Sequence, residues 1–186
     1  MTKVYASQIK NLSDARYFSS MEVDFLGIPL NEPIDIYKAH EMMSWVEGPM
    51  TVAEPGLTLA LNPDVNFEKF DFVLSPRELD FIPVPDHRII SKYNLDDQFF
   101  NEEYLFILSV KQDFEKLTLQ DFEKLQYILN SYNNVILSIP FDVNKTAELI
   151  ANLNPPCILI TGSEEEKTGF KSFDELDIFF EQIGRI

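Results

Sequence analysis

Few residues in this 186-residue chain have types suited to chemistry, and their spacing decides what they could do. Glu54, Arg77, Lys92 and Lys111 each fall at or just past the end of a short run that reads as a strand. If those strands are parallel and the sheet closes, their C-terminal ends converge on one mouth. Three cations and one carboxylate there would suit a small anion, and no other ligand class is indicated. The plainer reading is that these are solvated loop charges. Ser7 and Ser109 end two further runs. A hydroxyl acts as a nucleophile or proton relay only beside a base, and neither histidine, His40 or His87, lies near either serine in sequence. The plainer reading of both is a small polar residue filling space.

Composition narrows the function classes. Thirty-one acidic residues stand against 15 basic ones, a net charge of −16. Such a surface disfavours nucleic acid, whose phosphates need cationic partners, and anionic membranes for the same reason. Two histidines and a single cysteine, Cys157, leave little for a metal site built from His and Cys, so no metal or cofactor is expected. The Glu164–Glu166 run reads as a solvated loop, since a divalent cation would need further carboxylates close by. One cysteine permits no internal disulfide and fits a reducing compartment. With no apolar run near about 18 residues and no leader-like N-terminus, a soluble cytoplasmic protein is expected. Sixteen phenylalanines predict a well-packed interior. An exposed apolar patch, and with it a homodimer, is the outcome if that interior does not absorb them all.

The elements that must position these side chains alternate along the chain. Strands are predicted over Lys3–Ala6, Phe25–Leu30, Met50–Ala53, Phe70–Leu74, Arg88–Ser91, Tyr104–Ser109, Val135–Ile139 and Cys157–Thr161. Helices are predicted over Ser13–Met21, Ile34–Val46, Leu119–Leu129, Lys145–Leu153 and Phe173–Ile183, each with apolar residues recurring on one face. Ser172 and Glu175 form a capping box before the last. Eight strands separated mostly by helices, in one domain over residues 1–186, point to a compact (β/α)8 barrel, although a doubly wound open sheet satisfies the same alternation. Residues 54–103 hold five prolines and no long amphipathic stretch, so one or more barrel helices are expected to be missing there.

Two stretches carry a resemblance. Asn11-Leu12-Ser13-Asp14-Ala15, then Met21-Glu22-Val23-Asp24-Phe25-Leu26-Gly27-Ile28, resembles the first βαβ unit of phosphoribosylanthranilate isomerase, with its N-L-E-D-A and A-G-A-D-x-L-G-F. Val135-Ile136-Leu137, Ala147-Glu148, Thr161-Gly162-Ser163-Glu164 and Gly169-Phe170-Lys171 are similar to that family's last two units. The resemblance covers roughly the first and last 55 residues. It implies a (β/α)8 barrel and a cofactor-free Amadori rearrangement of an aminoaldose phosphate. It also implies a general base at Ser7 and a general acid at Ser109, where the family has cysteine and aspartate. The family's glycine after the base is Gln8, and its glycine-rich phosphate loops become Val110-Lys111-Gln112-Asp113-Phe114 and Ser138-Ile139-Pro140-Phe141. Pro140 has no amide hydrogen to offer a phosphate. No glycine occurs between Gly56 and Gly162, so of the phosphate contacts the resemblance implies, Gly162 and Ser163 remain. The expectation is an isomerase-like barrel that lacks base, acid and most of the clamp, with a binding or interaction role. The alternative is a divergent isomerase, or an enzyme acting on another small phosphorylated metabolite.

Overall fold

A computed structural model of the chain describes residues 1–62, 64–75, 88–97, 103–161 and 173–186. Eight strands run parallel: β1 (Lys3–Ser7), β2 (Phe25–Leu30), β3 (Met50–Pro55), β4 (Phe72–Leu74), β5 (Ile89–Asn94), β6 (Phe106–Ser109), β7 (Val135–Ser138) and β8 (Cys157–Thr161). They pair in chain order and close, β8 returning to β1 in register from Lys3 opposite Cys157 to Ser7 opposite Thr161. That pairing excludes the open sheet.

Between them run α1 (Leu12–Ser20), α2 (Pro33–Met43), α3 (Leu57–Ala60), α4 (Leu119–Ser131), α5 (Thr146–Leu153) and, after β8, α6 (Asp174–Gln182). Local chemistry sets their ends. Asn11 accepts from the Asp14 amide at 2.9 Å to cap α1, and Thr118 accepts from the Asp121 amide at 3.2 Å to cap α4. Pro33 opens α2, and Asn154, at φ +44°, closes α5 in the left-handed conformation. The Ser172 cap expected for α6 lies outside the described residues.

Of the segment expected to lack helices, residues 63, 76–87 and 98–102 lie outside the described residues. After β3 the chain makes one helical turn, α3, and among the described residues no helix joins β5 to β6. Phe67 and Phe70 pack into the core instead of an amphipathic helix. Arg88 holds that irregular backbone by donating to the carbonyls of Phe67, Glu68, Phe70 and Asp71. Its fork satisfies oxygens that a helix would otherwise have paired.

The barrel encloses one layer of side chains and carries a second outside it. Tyr5, Phe25, Val52, Ile90, Ile107, Ile136 and Cys157 fill the interior. Phe18, Phe106, Phe179, Phe180 and their neighbours pack between strands and helices. Each such ring removed from water contributes about 1.5–3 kcal/mol. Strand side chains alternate with a period of two. Residues two positions beyond the interior layer therefore face the C-terminal mouth: Ser7, Gly27, Glu54, Lys92, Ser109 and Ser138. At the opposite end Arg185 donates to the carbonyls of Thr2, Met21 and Glu22 and pairs with Asp24 at 2.8 Å, tying α6 to the start of the barrel.

Among the described residues no helix is long and apolar enough to cross a membrane. None of them form a cluster of three or more His, Cys, Asp or Glu that would hold a metal ion.

Candidate functional site

Glu54, inward-facing near the end of β3, is 6% exposed. Its Oε1 accepts from the Tyr5 hydroxyl at 2.6 Å and from Ser7 Oγ at 2.7 Å. Its Oε2 accepts from the Gln8 side-chain amide at 2.6 Å and the Gln8 backbone amide at 3.1 Å. A carboxylate offers about four lone-pair sites, and β1 with the residue after it fills them all. A buried unpaired carboxylate would cost several kcal/mol, and four donors offset that cost without a cation. Burial, followed by the charge and hydrogen bond of Glu54, pushes the Tyr5 hydroxyl well above its ordinary pKa, so Tyr5 stays a neutral donor. Burial likewise raises the Cys157 thiol, with the Asp24 charge adding to it, which makes the lone cysteine an inert packing group.

Two backbone features make this geometry reachable. A Cβ on Gly27 would stand 2.1 Å from Glu54 Oε1 and 2.7 Å from the Tyr5 ring, so the carboxylate lies where only glycine leaves room. Gln8 sits at φ +61°, a left-handed conformation that costs a non-glycine residue about 1–2 kcal/mol. Both of its amides bond to Glu54, which offsets that cost. This is the position where the resemblance has glycine, the residue type that adopts such a φ without strain.

Above this network opens a cavity of about 510 Å³ whose wall includes Gln8, Asn31, Glu54, Lys92, Ser109 and Lys111. Lys92 shares the inward face of β5 with Ile90 and reaches solvent in the mouth. Lys111 stands two residues past β6, after Val110. Among the described residues neither lysine makes an ion pair or hydrogen bond. Phe114 and Phe141 do not plug the opening. Phe114 is buried in the outer layer, and Phe141 packs there with its ring 6.2 Å from Phe179. In the loops after β6 and β7, the Val110 amide donates to the Ser138 carbonyl at 2.8 Å and the Phe114 amide to the Pro140 carbonyl at 2.8 Å. Those two amides are taken by the protein's own carbonyls.

The sequence-predicted residues thus divide. Glu54, Lys92, Lys111 and Ser109 meet in one cavity. Ser7 lies just beneath, buried and bonded to Glu54. Glu54 is not a solvated loop charge, because the close approach over Gly27 draws it into the barrel. Arg77, His87, Gly162, Ser163 and Glu164–Glu166 lie outside the described residues. Sequence reasoning missed Tyr5, Gln8 and Gly27. A glycine inside a strand is a sign of close approach, and Gly27 was legible on that ground.

No family model matches the chain, and no curated protein sequence matches it. Solved structures do. Phosphoribosyl anthranilate isomerase from Thermotoga maritima superposes with a TM-score of 0.67 at 16% identity, covering 100% of both chains. TrpF from Jonesia denitrificans gives 0.70 at 16%, covering 98% of this chain and 96% of its own. Thiamine phosphate pyrophosphorylase from Bacteroides thetaiotaomicron gives 0.64 at 9%, covering 100% of this chain and 97% of its own. Likeness at such identities is likeness of fold. The chain is therefore, in its fold, a divergent (β/α)8 barrel like those of the phosphoribosylanthranilate isomerases.

Proposed function

We propose that the barrel mouth binds a small anionic metabolite and does not run the isomerisation of phosphoribosylanthranilate. The observation that carries the reading is the pair Lys92 and Lys111, both without a partner among the described residues, in the wall of one open cavity. In a chain of net charge −16, two free ammonium groups at one opening focus positive potential locally. The carboxylate beside them is already saturated with donors and repels an anion less than a bare charge would. Against the isomerisation, the residues at the base and acid positions are hydroxyls. General acid–base steps contribute about 10²–10⁴-fold, and neither serine replaces a thiolate or a carboxylic acid near neutral pH.

Titration calorimetry with inorganic phosphate and simple phosphate esters tests the binding. Micromolar to low-millimolar affinity that falls with added salt, and at least a tenfold loss in Lys92→Gln or Lys111→Gln, supports the reading. No heat from any of them, or unchanged affinity in both variants, sinks it.

A second reading has its own observation. Glu54 lies 2.7 Å from Ser7 Oγ, which places beside that hydroxyl the base it lacks in sequence, and favours a divergent enzyme. Ser7 is buried beneath the cavity and is not part of its wall, so this reading ranks second. Restored growth of a tryptophan auxotroph lacking phosphoribosylanthranilate isomerase would reverse the order.

A further inference from the structure

The two oxygens of Glu54 are held differently. Oε1 takes its hydrogen bonds from Tyr5 and Ser7, both buried, which keeps the carboxylate from swinging away. Oε2 takes both of its bonds from Gln8, an exposed residue in a left-handed conformation. The side-chain bond, at 2.6 Å, comes from a flexible amide that itself lines the cavity. Turning that amide out needs no backbone movement and uncovers an acceptor of full negative charge on the cavity wall. A donor from a bound molecule would replace the bond at little net cost, because one charge-assisted hydrogen bond is exchanged for another. The same wall carries Lys92 and Lys111. The mouth is thus bipolar, with two cations and a carboxylate that one swinging side chain covers.

Resting on the anion-binding reading above, we infer that the ligand is an anion bearing its own ammonium or hydroxyl group, whose donor takes the place of the Gln8 side-chain amide on Glu54 Oε2. The lysines hold the anionic end and Glu54 holds the donor end. A donor-free anion leaves Gln8 where it is and gains the lysines alone. Lysine ammonium groups are point charges with little geometric preference, so selectivity in this mouth comes from the carboxylate end.

The test compares matched probes by titration calorimetry: O-phosphoethanolamine and glycerol 3-phosphate, which carry donors, against ethyl phosphate, which does not. O-phosphoethanolamine is expected to bind about tenfold more tightly than ethyl phosphate, because its ammonium puts a charged donor on Glu54 where Gln8 offers a neutral one, and glycerol 3-phosphate is expected to fall between them. Gln8→Ala is expected to widen that preference, because it removes the competing amide and leaves ethyl phosphate facing a less compensated carboxylate. The side-chain amide resonance of Gln8 should shift with O-phosphoethanolamine and stay in place with ethyl phosphate, a readout that needs no variant to fold. Equal affinity for all three esters, or a fixed Gln8 resonance, overturns the inference and leaves the anion-binding reading standing. Absence of binding by every ester overturns both.

Discussion

Ser7 Oγ donates to Glu54 Oε1 across 47 positions of sequence, at 2.7 Å, within a fully paired buried carboxylate. The hydroxyl that the resemblance places at a catalytic position is thereby committed to structure. Ser7→Ala removes one of four donors and leaves Glu54 under-compensated, so it should lower stability by about 1.5–3 kcal/mol. Chemical denaturation would read this as a lower midpoint with an unchanged slope. A variant as stable as the parent would show that Glu54 does not depend on Ser7.

Gly27 should tolerate no side chain. In Gly27→Ala the new methyl meets Glu54 Oε1 and the Tyr5 ring, so the carboxylate must leave its donors or the strands must part. The expected loss is about 3 kcal/mol, at the upper end for overpacking because a buried charge is displaced with it. Thermal melting of the two proteins side by side measures it.

Gln8 separates strain from bonding. Gln8→Gly removes the side-chain bond to Glu54 and relieves the left-handed backbone, whereas Gln8→Ala removes the bond and keeps the strain. The glycine variant should therefore be more stable than the alanine variant by about 1 kcal/mol. Equal stabilities would mean that the bend at φ +61° costs nothing in this context.

His40 should impose a pH dependence on stability. Burial first, and then the Lys69 charge, hold its pKa below the ordinary 6.5, and its Nε2 is buried without a partner. The unfolded chain then binds the proton more readily than the folded one, so this contribution is complete above the unfolded pKa. It declines as pH falls below about 6.5 and levels off beneath the folded value. Denaturation at a series of pH values should show a shallower fall below neutrality in His40→Gln than in the parent.

Much of the barrel was legible because its signals are local. All eight predicted strands are present, and Phe25–Leu30 and Cys157–Thr161 match to the residue, since short apolar runs bounded by polar turns leave few other choices. The short helix after β3 was legible too, because Pro63 bars a longer one. The site was half legible. Lys92, Ser109 and Lys111 follow from strand ends and alternation, whereas Tyr5 reads as one more apolar core residue and Gln8 as loop.

From the sequence alone came the succession of strands along the chain, the net charge of −16 and the absence of glycine from the middle of the chain. Those follow from period, composition and backbone propensity, which act over a few residues. Barrel closure decided the rest. It carried Glu54 over Gly27 onto donors 46 to 49 positions away. It also left Lys92 of β5 and Lys111 of the loop after β6 facing one open cavity. Contacts at that separation are set by which strands become neighbours, and no local preference encodes them.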